Sequence, residues 1–347
     1  VAEAGFVIPG DPETKTGGYG YDRRVMALLP AAGKAVRAIR LSGSYPFPSA
    51  DDLASDAANL TAQHVDALLI DGLAYGAMPA TMVAGLKQPI VALVHHPLFL
   101  EPGSSEEMRA RLFDSEGAAL RYAAGVVVTS AHTAELVQHH FKVSADRITV
   151  AEPGTDPALR ARGTGQPLQL LAVGAVAPRK AYDLLIRALR PLHALEWRLT
   201  IVGLTDRAPQ FVEEVRQEIA ASGFSDRITL AGAVEDTRLE ALYAAADLFV
   251  MASLFEGYGM VLGEALARGL PIVCTTGGAS VATAPDAAAL KVPPGDEAAM
   301  TAALGQAIGD AGLRRRLGEA SWAAGQYLPR WEDTARKVAA ALQRALR

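Results

Sequence analysis

One cysteine in 347 residues, Cys274, leaves no disulfide framework to build with. It lies in the apolar run PIVC, where a core thiol is expected rather than a nucleophile. No run of eighteen apolar residues occurs, so a membrane-spanning helix is not expected. Positive charge is not in excess either: 33 Lys and Arg stand against 38 Asp and Glu, for a net charge of -5. That balance argues against bulk nucleic-acid binding. Residues 1–9 read as a first strand and not as a signal peptide, which makes a reducing cytoplasm the expected setting. Three catalytic signatures are missing as well. There is no H-E-x-x-H, and His132, His139 and His140 have no convergent carboxylate spacing, so no metal site is expected. No G-x-S-x-G elbow is present. The glycines of Gly17-Gly18-Tyr19-Gly20 miss the G-x-G-x-x-G spacing, and no acidic residue closes the next strand, so a nicotinamide cofactor is a weak reading.

Half of the residues are hydrophobic, enough for two ordinary domains with substantial cores. Short apolar runs alternate with helical patterns from end to end. GFVIPG, AVRAIR, DALLID, PIVALVHH, GVVVTS and RITVAEPG occupy the first half; LQLLAVGA, WRLTIVGL, RITLAGAV, DLFVMAS, LPIVCTT and AALKVP occupy the second. Strands buried on both faces and alternating with helices predict α/β architecture, with doubly wound parallel sheets of right-handed βαβ units. The Gly- and Pro-rich segment 161–167 is the expected linker, giving domains at 1–162 and 163–329 and a final helix at 330–347 that packs back on the first domain. Ligands of such sheets bind beyond the C-terminal strand ends, so two domains facing across a cleft are expected.

The residues that follow the strands carry the chemistry. Glu256 and Glu264 stand eight apart around a glycine turn, with a buried strand ahead and a helix behind. A helix starting in that loop offers free N–H groups and a positive dipole end to phosphate oxygens, and Gly257 and Gly259 allow close approach. Glu264, one turn inside, is placed to accept hydrogen bonds from a ribose diol. Arg179 and Lys180 bring two cations to a helix start, where the dipole disfavours them unless an anion joins them; a diphosphate would resolve the conflict, and a solvated basic pair is the plain alternative. His95 and His96 end a strongly apolar strand, and one of the two is expected to be functional. Arg23, Arg24, Lys34, Arg37 and Arg40 gather in one helix-turn-strand segment, which offers weak peripheral contact to an anionic membrane or simply a solvated face. The segments 44–48, 71–72 and 97–103 are candidates for acceptor contacts.

The stretches VGAVAPRKAYDLLIRAL and LAGAVEDTRLEALYAAADLFVMASLFEGYGMVLGEALARGLPIV, with the N-terminal Gly-Gly loop, resemble retaining glycosyltransferase family 4, of the GT-B fold. The likeness covers nearly the whole chain, and Glu256-x7-Glu264 matches the family's E-x7-E motif. It implies a nucleotide-diphosphate sugar, UDP- or GDP-linked, on the second domain and a hydroxyl acceptor mainly on the first, with no metal. Glu264 would bind the ribose, the N–H groups of Gly259, Met260 and Val261 the distal phosphate, and Glu256 the donor sugar. Arg179 and Lys180 would neutralise the diphosphate, and Val234 would lie in the segment that reads the base. Gly17 and Gly18 match the loop that closes over the phosphates, and His96, favoured over His95, matches a histidine near the anomeric carbon. One departure stands out: the family has glycine after the basic pair, and this chain has Ala181. Alternatives with the same fold are a sugar-nucleotide hydrolase or epimerase and a non-catalytic sugar-nucleotide binding module. A periplasmic-type binding protein is a rival from another class.

Overall fold

The computed structural model describes residues 3–101 and 105–347, so Pro102 and Gly103 of one acceptor candidate lie outside the described residues. Each of the twelve apolar runs forms a strand. The first six are β1 (Glu3–Pro9), β2 (Ala35–Leu41), β3 (Ala67–Asp71), β4 (Ile90–Val94), β5 (Gly125–Val128) and β6 (Ile148–Val150). The second six are β7 (Leu168–Val173), β8 (Trp197–Val202), β9 (Ile228–Gly232), β10 (Leu248–Met251), β11 (Ile272–Thr275) and β12 (Ala289–Val292). They build two parallel sheets, ordered β2-β1-β3-β4-β5-β6 and β12-β11-β10-β7-β8-β9. Strand alternation divides the second core between the two faces of its sheet. Leu168, Leu170 and Ala172 of β7 join Leu248 and Val250 of β10 on one face, and Leu171, Phe249 and Met251 point to the other. Among the described residues, no helix is long and apolar enough to cross a membrane.

The chain divides into two compact units. One runs to Gly154 and includes Pro329–Arg347; the other is Thr155–Leu328. The segment 161–167, expected to be a linker, is bound into the second unit. Ala161 N–H donates to Arg268 O at 2.9 Å and Arg162 N–H to Ala244 O at 3.0 Å. The Asp247 carboxylate accepts from Thr164 N–H at 3.2 Å and Gly165 N–H at 3.1 Å. Composition marks the segment as turn-rich, but a carboxylate far away in sequence satisfies its backbone.

The helix Trp331–Ala345 is an integral part of the first unit. The Trp331 ring meets Tyr21 edge-on at 5.8 Å and lies under the Arg24 guanidinium at 5.3 Å. Thr334 Oγ1 donates to Glu152 O at 2.6 Å. Other cations of the basic segment also have internal partners. Arg23 donates to Thr14 O, Lys34 to Gln343 Oε1, and Arg37 and Arg40 face Glu3 and Asp11.

Each sheet has a point where neighbouring strands send their connections in opposite directions. It falls between β1 and β3 in the first sheet and between β7 and β10 in the second. Open α/β sheets bind ligands at such points, beyond the C-terminal strand ends.

Candidate active site

Arg179 and Lys180 form a short 3-10 turn, Pro178–Lys180, after β7, and Glu256 follows β10, so the two loops flank the second switch point. Leu254 N–H donates to Arg179 O at 2.8 Å and ties the loops together. Lys180 Nζ donates to Glu256 Oε1 at 2.6 Å, and Arg179 Nη1 donates to Glu256 Oε2 at 3.1 Å and to Phe255 O at 2.9 Å. Burial would raise the Glu256 carboxyl; Lys180 and Arg179 override that and hold it down at about 2. The conflict of two cations at a helix start is therefore resolved inside the protein, by a buried carboxylate.

Glycine fixes the position of Glu256. Gly278 pairs with it as an isolated parallel bridge at φ +67, and a Cβ there would lie 2.3 Å from Glu256 O. Only a residue without a side chain allows that approach. The next helix, Met260–Ala267, is capped by Gly259 in the left-handed region at φ 85. The first-turn N–H groups of Met260 and Val261 have no acceptor within the helix, which gives this end the character of an anion site. Thr283 Oγ1 donates to Tyr258 O at 2.6 Å and braces the loop ahead of the helix.

Glu264 is half-buried on that helix. Tyr243 Oη donates to its Oε2 at 2.7 Å, while Oε1 makes no hydrogen bond among the described residues. Burial raises the Glu264 carboxyl, and the Tyr243 hydrogen bond and the Arg268 charge lower it only in part. Val234 is half-buried in the loop between β9 and the helix Asp236–Ala245, at the same C-terminal edge of the sheet.

In the first unit, Gly17 and Gly18 are the first two residues of the helix Gly17–Leu28, not a loop ahead of it, because Thr16 caps the helix with its side chain. Gly18 lies against the His95 ring. His95 Nε2 is 3.2 Å from Asp22 Oδ1 and 3.2 Å from Asp71 Oδ2, at the first switch point. Burial would lower the His95 imidazolium, but Asp22 and Asp71 more than offset it and push it up to about 10. Asp22, fully buried with Oδ2 making no hydrogen bond among the described residues, is raised to about 7 by burial and by Asp71. His96 instead pairs with Glu101, Nε2 to Oε2 at 2.9 Å. His95 thus faces Asp22 and Asp71, and His96 faces Glu101.

Asp22, Asp71 and His95 have ligand atoms within 4.8 Å of one another, the one group of that kind among the described residues. An imidazolium between the carboxylates already supplies the charge a cation would bring. Cys274 is buried in β11, and its thiol is pushed up to about 12 by burial.

Comparison with known proteins decides the family. Residues 21–159 match the model described as Glycosyltransferase Family 4, and residues 167–310 match Glycosyl transferases group 1. The chain belongs to the family 4, group 1 glycosyltransferases. It is 31% identical over 255 residues to a D-inositol 3-phosphate glycosyltransferase of Xylanimonas cellulosilytica, covering 68% of this chain and 60% of that protein. Among solved structures it resembles sucrose-phosphate synthase from Thermosynechococcus elongatus, with a TM-score of 0.81, 22% identity and 96% of each chain covered. It also resembles Anabaena HepE in complex with UDP-glucose, with a TM-score of 0.79, 17% identity, and 99% of this chain and 100% of that one covered. The fold is GT-B.

For this family 4 chain, the departure at Ala181 acquires a physical meaning. Ala181 caps the helix Tyr182–Leu189 at φ 49, ψ 45, a left-handed conformation that suits the family's glycine and strains an L-residue. The helix start is kept regardless. Sequence reasoning missed Asp22 and Tyr243. Both had a signal: Asp22 lies among Tyr21 and Val25 on the buried face of its helix, where a charge needs a partner, and Tyr243 puts a hydroxyl on a core face.

Proposed function

We propose that this chain is a retaining glycosyltransferase that moves a sugar, a hexose, from a UDP- or GDP-sugar to a hydroxyl acceptor without a metal ion. The observation that carries this reading is the meeting of Arg179, Lys180 and Glu256 at a switch point, beside the helix N-terminus that bears Glu264. The complex of HepE with UDP-glucose supports a donor of that class.

A donor diphosphate takes over the contacts of Arg179 and Lys180, and its distal phosphate receives the N–H groups of Gly259, Met260 and Val261. Glu256, released from the two cations, turns to the hydroxyls of the sugar. Glu264 accepts from the ribose diol, and the segment at Val234 faces the base. Acceptor recognition is assigned to the first unit, with Gly17, Gly18 and the two histidines, His95 taking precedence over His96 because its surroundings are built.

The bond between the anomeric carbon and the β-phosphate oxygen breaks and leaves its electrons on the diphosphate. The acceptor oxygen bonds to that carbon on the same face, and its proton passes to the departing phosphate. Charge grows on the diphosphate in the transition state, so cations and N–H groups already in place lower the barrier most. No protein carboxylate becomes glycosylated. The test is the configuration of the product by NMR after incubation with nucleotide sugars and hydroxyl acceptors. Retention is expected, and inversion or a trapped glycosyl ester on Asp or Glu would overturn the mechanism.

A further inference from the structure

The helix Asp236–Ala245 brings the Tyr243 hydroxyl to the Glu264 carboxylate of the second unit. Tyr243 is fully buried, and its ring stacks on Phe249 of β10 at 6.1 Å with planes 16° apart. The Arg268 guanidinium lies over the ring at 4.4 Å and is held there by an ion pair with Glu240 and by donation to Glu264 O at 2.9 Å. The ring is clamped between an aromatic and a cation, so the hydroxyl has one direction, toward Glu264 Oε2 at 2.7 Å. Arg268 donates to the backbone oxygen of Glu264 and not to its carboxylate. Among the described residues, Tyr243 is therefore the sole hydrogen-bond partner of that carboxylate.

We propose that Tyr243 is a positioning residue for nucleotide binding: it fixes the Glu264 carboxylate through Oε2 and leaves Oε1 presented to the ribose hydroxyls. The inference rests on the reading of Glu264 as the ribose group. A carboxylate on a short helix turns about its own torsions, and each orientation it loses on binding a diol costs affinity; a hydrogen bond made beforehand removes that cost. The same bond acts on protonation. Burial raises the Glu264 carboxyl, and Glu240 and Asp156 push in the same direction, while Tyr243 and Arg268 oppose them. A protonated carboxyl loses acceptor capacity for the diol. Without the hydroxyl, Glu264 takes up its proton at higher pH.

The experiment is isothermal titration of the full chain with UDP and with GDP between pH 5 and 9. Tyr243→Phe keeps the ring, the stacking and the cation above it and deletes only the hydroxyl. It is expected to weaken binding roughly 10-fold at neutral pH, the worth of one hydrogen bond to a charged group. The acid limb of its affinity profile should move to higher pH. Titration of the nucleotide phosphate is common to both proteins and cancels in the comparison. A loss that is uniform across pH would mean only loosened packing and would overturn the proposal, as would unchanged affinity. In a Glu264→Gln background, which cannot ionise, Tyr243→Phe should leave the pH profile unchanged; this pair carries the test if the single variant is poorly folded. Wild-type affinity in Glu264→Ala would instead remove the ribose reading itself, a separate failure.

Discussion

Lys180 Nζ and Glu256 Oε1 are 2.6 Å apart, each brought in by a different strand of the second switch point. With Arg179 on the other carboxylate oxygen, Glu256 is the counter-ion of the basic pair. The site proposed to receive a diphosphate is thus held together by an internal anion.

Glu256→Gln should therefore separate binding from turnover. The cations lose their counter-ion, so affinity for UDP or GDP should not fall. Turnover should drop on the order of 100-fold, the scale of losing one well-placed polar group at a reacting centre. Kinetics with saturating donor beside a binding isotherm checks both halves. Unchanged turnover would show that Glu256 does not orient the sugar.

Arg179→Ala and Lys180→Ala should each lose turnover on the order of 100-fold if each acts as one preplaced group on the leaving diphosphate. Each should also weaken nucleotide binding, in contrast to Glu256→Gln. Comparing Kd and kcat among the three variants checks the division of roles.

Ala181→Gly should stabilise the fold. The left-handed conformation at φ 49 costs an L-residue about 1 to 2 kcal/mol, and the extra freedom of glycine in the unfolded chain returns part of it. A net gain of about 0.5 to 1 kcal/mol is expected by urea denaturation, with turnover retained. A loss of stability would show that the buried methyl group outweighs the strain.

Glu116 ties stability to pH. Its Oε2 accepts from Leu98 N–H at 2.9 Å, and its Oε1 is buried without a partner among the described residues. Burial raises this carboxyl from 4.5 to about 8. Between those values the folded chain holds a proton that the unfolded chain has released, so stability falls as pH rises, by up to about 1.4 kcal/mol per unit. Above the folded value the slope from this group vanishes. Glu116→Gln, neutral throughout, should flatten the slope between pH 5 and 8 and raise stability at pH 8. Denaturation midpoints across that range check it, and parallel wild-type and variant curves would contradict it.

The strands were legible because each is a short apolar run bounded by turn residues, as in DLFVMAS and LPIVCTT. The approach of Glu256 to Gly278 was half legible: glycines suit a close contact, but that the partner is Glu256 depends on β10 lying beside β11. What the sequence hid are pairings over long separations. Asp247 binds a segment that composition marks as linker, and Tyr243 meets Glu264 from a different helix, 21 residues away. Asp22 follows β1, Asp71 ends β3 and His95 follows β4, and they meet only because these strands are neighbours. The opposition of two cations and a helix dipole was visible at Arg179-Lys180, and it pointed to an anion. That the anion is also Glu256 depends on β10 lying beside β7, which strand order decides and local pattern does not.

The most direct measurement is a thermal-shift screen of nucleotides and nucleotide sugars on the wild-type chain and on Glu264→Ala, since a ligand that binds only the folded state raises the unfolding temperature. UDP or GDP, and their sugars, should raise it in the wild type, and the shift should vanish in the variant. Stabilisation by NAD instead, or an equal shift by UDP in both proteins, would contradict a donor site at Glu256 and Glu264.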